Sequence, residues 1–327
     1  MTPLFGHDAA VAAFRDGLDA GRLHHAWLVS GPEGIGKALF AEKAALRVLA
    51  AGQRRIDAPG LDIPDDHQAA RLVAAGSHPD LMRLERLPRE TGAGELARSI
   101  TVDQVRGLSR LFSTTASMSP WRVVIIDAVD DLERAAANAL LKNLEEPPPH
   151  SLFLLVSHAS ERLLPTIRSR CRQLRLSPLG PDAMTSALRA ALPEAPEREI
   201  AELAAAAPGS PGRALAFQGL DIAALDQAMA ELAREGDPAN ARRSALAQSL
   251  ALRSAQARYE AFLARAPSLV AAEARTRRGA ALAEALGIWE KVQSLAAAAP
   301  RLSLEPESIV FEIGGLLASL APSPASR

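Results

Sequence analysis

Three residues of one short stretch, Gly31, Gly36 and Lys37, stand where phosphate chemistry needs them: Gly31-Pro-Glu-Gly34-Ile-Gly36-Lys37-Ala38 follows the pattern G-x-x-x-x-G-K-[ST] up to its last position. Glycines there let backbone N–H groups close around phosphates, the lysine neutralises β/γ charge, and the final hydroxyl helps hold Mg²⁺. Position 38 is alanine, which has no oxygen to give a metal. About ninety residues further on, Arg122-Val-Val-Ile-Ile-Asp127 ends in an acid, the residue that organises Mg²⁺ in P-loop enzymes. A glutamate often follows it and polarises the attacking water, but here the next residue is Ala128. These are separate losses within one reaction, and together they argue against efficient hydrolysis. Asp130 and Asp131 are the alternative bases, although both lie a turn or more past the strand end. The surviving backbone donors and Lys37 leave weak or Mg²⁺-independent ATP or ADP binding open.

A third group could act on phosphate. Arg170, in Ser169-Arg-Cys171, lies between a helical turn (Leu163–Arg168) and a short strand (Arg172–Leu176). An arginine at the rim of a nucleotide domain suits an arginine finger, which stabilises charge on a γ-phosphate bound by a neighbour. The other reading is a solvated basic run of Arg168, Arg170 and Arg172, and spacing alone favours it.

These residues need a parallel sheet to hold them. Ala26–Ser30 reads as a buried strand running into the glycine loop, and Lys37–Leu49 as the helix after it. Arg122–Asp127 and Leu152–Ser157 are apolar throughout, as strands covered on both faces are. Leu81–Leu84 and Arg172–Leu176 are shorter strand candidates. Helical periodicity marks Ala9–Leu18, Thr101–Phe112 and Ala135–Glu146, the last closed by Pro147-Pro-Pro149. Residues 51–77 read as an insertion, Pro88–Ala97 as a loop and the tail after Ala321 as frayed. The expected fold class is an α/β P-loop domain, a parallel sheet with flanking helices. After Ser177-Pro178 the strand signals stop. Three short helices (Pro181–Leu192, Arg198–Ala207, Ser210–Phe217) precede longer, alanine-rich ones, including Arg242–Leu252 and Arg278–Ala297. The boundaries fall near 177 and 220, dividing the chain into 1–177, 178–219 and 220–327.

Composition agrees. A chain of 327 residues exceeds one ordinary core, and 48% hydrophobic with only 4% aromatic residues favours helices packed through small side chains. A formal net charge of −1 excludes a general polycation that coats nucleic acid. One cysteine, Cys171, excludes an internal disulfide and any zinc site of several thiolates. The first residues carry no apolar signal region and no apolar run is long enough to cross a bilayer, so a soluble cytoplasmic protein is expected.

Several stretches resemble one family. Gly21-Arg-Leu-His-His-Ala-Trp27, Ala75-Gly-Ser-His-Pro-Asp-Leu81, Asn138-Ala-Leu-Leu-Lys-Asn-Leu-Glu-Glu-Pro-Pro148, Leu163-Leu-Pro165 and Thr166-Ile-Arg-Ser-Arg-Cys171 resemble the AAA+ clamp-loader subunits of bacterial DNA polymerase III, nearest its delta-prime branch. The likeness covers residues 1–217 by specific motifs and the remainder by helicity alone. It implies an AAA+ domain, a three-helix lid and an all-α collar that joins subunits into a hetero-pentamer with gamma/tau and delta. The implied role is a non-hydrolysing stator that supports loading of the beta sliding clamp onto primer-template DNA. The likeness places Arg170 as a finger offered in trans, Ser157 at the sensor-1 position and Arg213 at the sensor-2 position, where ATPase subunits read the γ-phosphate. The nucleotide-site set is then Gly31, Gly34, Gly36, Lys37, Asp127, Ser157 and Arg213, in degenerate form.

The chain also departs from the family pattern. Many members carry four zinc-binding cysteines after the P-loop helix; here there are none, and Asp65, Asp66, His67 and His78 do not reproduce the spacing, so no zinc and no required cofactor are expected. An active gamma/tau-type ATPase is the alternative, and a clamp-loader-like adaptor without a DNA role is a third reading. For DNA, the family's use of helix N-termini points to the helix beginning at Thr101, with Arg106 and Arg110 nearby. An ordinary amphipathic helix with solvated arginines fits those residues equally well.

Overall fold

A computed structural model describes residues 2–88, 96–113 and 115–322. The expected loop at 88–97 and the tail fall largely outside those residues. The chain forms two compact units, 1–215 and 216–327.

The first unit is built on five parallel strands, β1 (Ala26–Ser30), β2 (Leu81–Glu85), β3 (Arg122–Asp127), β4 (Ser151–Ser157) and β5 (Arg172–Arg175), in the order β2-β3-β4-β1-β5. The three inner strands are apolar apart from polar residues at their ends, because both faces are covered and side chains alternate between them. Trp27 and Val29 of β1, Val123 and Ile125 of β3, and Leu152, Leu154 and Val156 of β4 join the core under α1 (Asp8–Asp19) and α2 (Lys37–Ala51). Ala26 and Leu28, Val124 and Ile126, and Phe153 and Leu155 face the opposite core. That core is closed by α4 (Val102–Arg106), α5 (Leu108–Ser113) and α6 (Arg134–Glu145). The short helix α3 (Gln68–Ala74) lies within the 51–77 stretch that reads as an insertion. Expecting one helix over Thr101–Phe112 was incorrect: the chain divides at Gly107 into two helices of five and six residues. Glycine is a poor interior helix residue and ends α4, whose N-terminus is fixed by the Thr101/Gln104 capping box.

The insertion is held by basic side chains on backbone carbonyls. Arg47 is 2% exposed and donates 2.8 Å hydrogen bonds to the Ile56 and Asp62 carbonyls. Arg15 donates to the Gly60 carbonyl at 2.5 Å, and Lys43 meets the Asp62 carboxylate at 2.7 Å. Ser-His-Pro-Asp80 is also structural. Asp80, buried, accepts from the backbone N–H groups of Ser117, Met118 and Ser119 at 2.7–3.1 Å and so fixes the entry to β3. His67 Nδ1 accepts from Ala69 N–H and caps α3.

The first unit continues through α7 (Pro165–Arg168), α8 (Pro181–Ala191), α9 (Glu197–Ala206) and α10 (Pro211–Ala216). The second is wholly helical: α11 (Ile222–Glu235), α12 (Ala241–Leu250), α13 (Gln256–Thr276), α14 (Gly279–Leu302) and α15 (Pro306–Ala318). Its core includes Met229, Phe262, Val270, Val292, Val310 and Ile313. Gly315 leaves room for Arg243, whose Nη1 a Cβ there would strike. Among the described residues no helix is long and apolar enough to cross a membrane.

Candidate functional site

β1 delivers the chain to the loop at Ser30, and α2 carries it away from Lys37. Gly31, Gly34 and Gly36 all have positive φ (148°, 76° and 99°), which a side chain would resist. Gly34 is also crowded. A Cβ there would lie 2.5 Å from Ser210 Oγ, 2.8 Å from the Arg213 backbone nitrogen and 3.0 Å from Arg213 Cγ. The loop is tied to the start of α10 by two bonds: Ser210 Oγ donates to the Glu33 carbonyl and Gly212 N–H to the Gly34 carbonyl, both at 2.8 Å. Arg213 therefore packs on the loop through its backbone and Cγ. His7 holds the loop from the other side through the Ile35 carbonyl, 2.8 Å from its Nε2.

Lys37 is 3% exposed and donates to the Pro32 carbonyl at 2.5 Å. Burial pushes its ammonium down to about 8, and Glu33, Asp130 and Asp127 pull it partly back. A chamber of about 330 Å³ opens beside it, lined by Gly34, Gly36, Lys37 and Asp127 at one end and by apolar residues such as Phe5, Leu179 and Leu215 elsewhere. That combination suits a flat apolar ring next to a charged group. Gly31, Ser157 and Arg213 do not line it.

The acidic end is already engaged. Arg83, on β2, reaches Asp127 Oδ2 at 2.9 Å, Glu85 Oε2 at 3.0 Å and Glu42 Oε2 at 3.5 Å. β2 and β3 are in register with Glu85 beside Asp127, which brings these side chains to one strand end. Asp130 accepts from Ser157 Oγ (3.0 Å), His158 N–H (2.7 Å) and Ala159 N–H (3.3 Å). The Ser157 hydroxyl is thus spent on Asp130, while its neighbours Val156 and His158 line the chamber. Asp131 pairs with Arg86 at 3.1 Å, and burial holds its carboxyl above the usual range. Neither aspartate is aimed at the chamber as a spare base. A Mg²⁺ ion does not fit this donor set: Ala38 offers no oxygen and the Asp127 carboxylate is committed to a guanidinium. Among the described residues no three His, Cys, Asp or Glu side chains converge to hold a metal.

Arg170 lies outside the chamber, at the end of α7. Its guanidinium meets Glu145 Oε1 at 2.7 Å and the Thr166 carbonyl at 2.9 Å. Glu145 is the last residue of α6, and His25 bonds the Leu144 carbonyl just before it, at 3.1 Å. Burial and the neighbouring His24 hold the His25 imidazole below its ordinary range, so its neutral N–H is the donor. Three motifs that look unrelated in sequence therefore form one chain of contacts, His25 to α6 to Arg170. The solvated-run reading of Arg170 does not describe this arrangement.

Sequence reasoning missed Arg83, Glu145, Ser210 and Asp130 in these roles. Glu145 sits inside the Asn138–Pro148 stretch, and Ser210 opens the expected helix Ser210–Phe217. Arg83 could be found only from strand register. The Thr101 segment offers no long helix to DNA: α4 has five residues, and Arg106 pairs with Asp103 at 3.3 Å.

Comparison with known proteins gives a consistent result. The family described as DNA polymerase III, delta subunit, matches residues 6–180, just over half of the chain. DNA polymerase III subunit delta' of Pseudomonas aeruginosa is 40% identical over 178 residues, 54% of this chain and 51% of that protein. The Haemophilus influenzae subunit delta' is 35% identical over 160 residues, 49% of this chain and 45% of that protein. Subunit tau of Escherichia coli is 33% identical over 192 residues, 58% of this chain and 27% of that protein. The chain spans about half the length of the delta' relatives it matches. With the glycine loop, the β3 aspartate and the α6–Arg170 contacts all inside the matched stretch, the chain belongs to the DNA polymerase III delta-subunit family and resembles its delta' members.

Proposed function

We propose that the chain is a delta-prime-type subunit of a cytoplasmic DNA polymerase III clamp loader, a stator that does not hydrolyse nucleotide itself and offers Arg170 to a neighbour's ATP. One observation carries this reading. The groups that would complete hydrolysis in its own chamber are missing or committed elsewhere, at Ala38, Ala128, Asp127 and Asp130, while Arg170 is held outside that chamber by Glu145. An arginine finger reaches a γ-phosphate held in a neighbouring subunit's site, so a guanidinium anchored outside its own chamber is the form it needs. In this reading 1–177 is the AAA+ domain, 178–219 the lid and 220–327 the collar. The partners are gamma/tau and delta subunits in a hetero-pentamer, the beta sliding clamp, and primer-template DNA reached through the complex. No cofactor is required, ATP or ADP binding is at most weak, and zinc has no place.

The test is a reconstituted complex carrying Arg170→Ala. The expected result is ATPase turnover reduced by at least tenfold with assembly intact. Glu145→Gln should give a smaller loss, about fivefold, because a partly exposed ion pair is worth roughly 1 kcal/mol and 1.36 kcal/mol is tenfold in rate. Unchanged turnover in Arg170→Ala removes the in-trans role. The tau and gamma relatives at 30–33% identity favour a second reading, an active AAA+ ATPase subunit. Single-turnover hydrolysis by the isolated chain would decide for it.

A further inference from the structure

We infer that Arg83 is a resident cation standing where P-loop enzymes place a divalent ion, so that this chain's acidic strand end is closed to Mg²⁺ and Mn²⁺ and indifferent to their concentration. The inference rests on the P-loop reading of the first unit and not on clamp-loader membership.

Three observations converge. Asp127 ends β3 and lines the chamber, which is the place of a metal-organising aspartate. Its Oδ2 is 2.9 Å from Arg83 Nη2, a charge-assisted contact in the range of strong ion pairs. The same guanidinium reaches Glu42, on α2 four residues beyond Ala38, and Glu85 on its own strand. The guanidinium thus bridges the metal-side face of α2 and the end of β3, the two elements that share a metal in a working P-loop. Position 38 has lost the hydroxyl that would make a divalent ion preferable, and a planar fork with five donors satisfies three carboxylates that a bare alanine cannot help neutralise.

A cation is needed there on charge grounds alone. Glu42, Glu85 and Asp127 bring three negative charges to one strand end. Without a cation they repel one another across half-exposed space, where each contact is worth little alone but all share a sign. A divalent ion supplies that charge only when bound. Arg83 supplies it permanently, because guanidinium does not lose its proton in the accessible pH range. The loop then keeps one electrostatic state whatever the metal supply.

The experiment uses the full-length chain and Mn²⁺ alone as probe, followed by electron paramagnetic resonance and by thermal unfolding in EDTA or 10 mM MnCl₂ (about the upper end of useful divalent concentrations). Wild type should show no Asp127-dependent Mn²⁺ site and a Tm unchanged between the two conditions. Arg83→Gln should unfold a few degrees lower in EDTA, recover on adding Mn²⁺, and bind Mn²⁺ at least tenfold more tightly than wild type, with Asp127→Asn in that background abolishing the gain. Arg83→Lys keeps the charge and should stay indifferent to metal, which separates loss of charge from loss of packing. Two results overturn the inference. One is a wild-type Mn²⁺ site that Asp127→Asn removes. The other is an Arg83→Gln protein no more responsive to Mn²⁺ than wild type.

Discussion

Replacing Gly34 by alanine tests whether the glycine loop and α10 are one rigid piece. The residue has φ 76°, and alanine pays about 1–2 kcal/mol to stay there. Its Cβ would meet Ser210 Oγ at 2.5 Å and the Arg213 backbone nitrogen at 2.8 Å, contacts that force something to move. Overpacking of this kind costs about 1–3 kcal/mol. The sum is roughly 2–5 kcal/mol, and at about 2–4 °C per kcal/mol for a unit of this size the melting temperature should fall by about 4–20 °C. Ser210→Ala alone loses the bond to the Glu33 carbonyl and should cost about 1 kcal/mol. The two substitutions should not add. Removing Oγ clears the tightest contact and leaves the Arg213 nitrogen and Cγ in the way, so Gly34→Ala should cost about 1 kcal/mol less in the Ser210→Ala background. Calorimetry on the four proteins of this cycle gives the coupling directly. A melting temperature for Gly34→Ala within about 1 °C of wild type, well under the smallest expected fall of about 4 °C, would falsify the rigid junction. Strict additivity would equally show that the loop and α10 do not share the strain.

Two further outcomes follow from buried titratable groups. The Lys37 ammonium is depressed to about 8, so between that value and its ordinary one the unfolded chain holds a proton that the folded chain has released. Unfolding free energy must then rise with pH across that window, and wild type should gain on Lys37→Met between pH 8 and about 10 in urea titrations; a pH-independent difference would contradict it. Burial pushes the Cys171 thiol up to about 12. At pH 8 its thiolate fraction is on the order of 10⁻⁴, so reaction with an aromatic disulfide reagent should be roughly a thousandfold slower than for an exposed cysteine and should become fast only in denaturant.

The parallel sheet was legible because burial on both faces leaves unbroken apolar runs, and Ala26–Ser30, Arg122–Asp127 and Leu152–Ser157 are such runs. The glycine loop was legible because backbone conformation and residue type are nearly synonymous there. The connections between side chains were not. Arg83 meets Asp127 only because β2 and β3 pair in one particular register, and nothing local to Leu81–Glu85 specifies it. Likewise Glu145 and Arg170 are 25 positions apart in sequence but 2.7 Å apart in space, joined by the fold of β4 and α7 between them. Helix continuity over Thr101–Phe112 misled because apolar spacing alone ignores the glycine at its centre. Sequence periodicity reports which face is buried; it does not report which charged neighbours that burial brings together.

The insertion after α2 has a consequence of its own. Arg47, Arg15 and Lys43 gather its carbonyls and one carboxylate around guanidinium and ammonium groups that the helices themselves supply. Such a fastening is complete as soon as the polypeptide is made. The groups that close it are the chain's own, and residues 51–77 contain no cysteine to be oxidised.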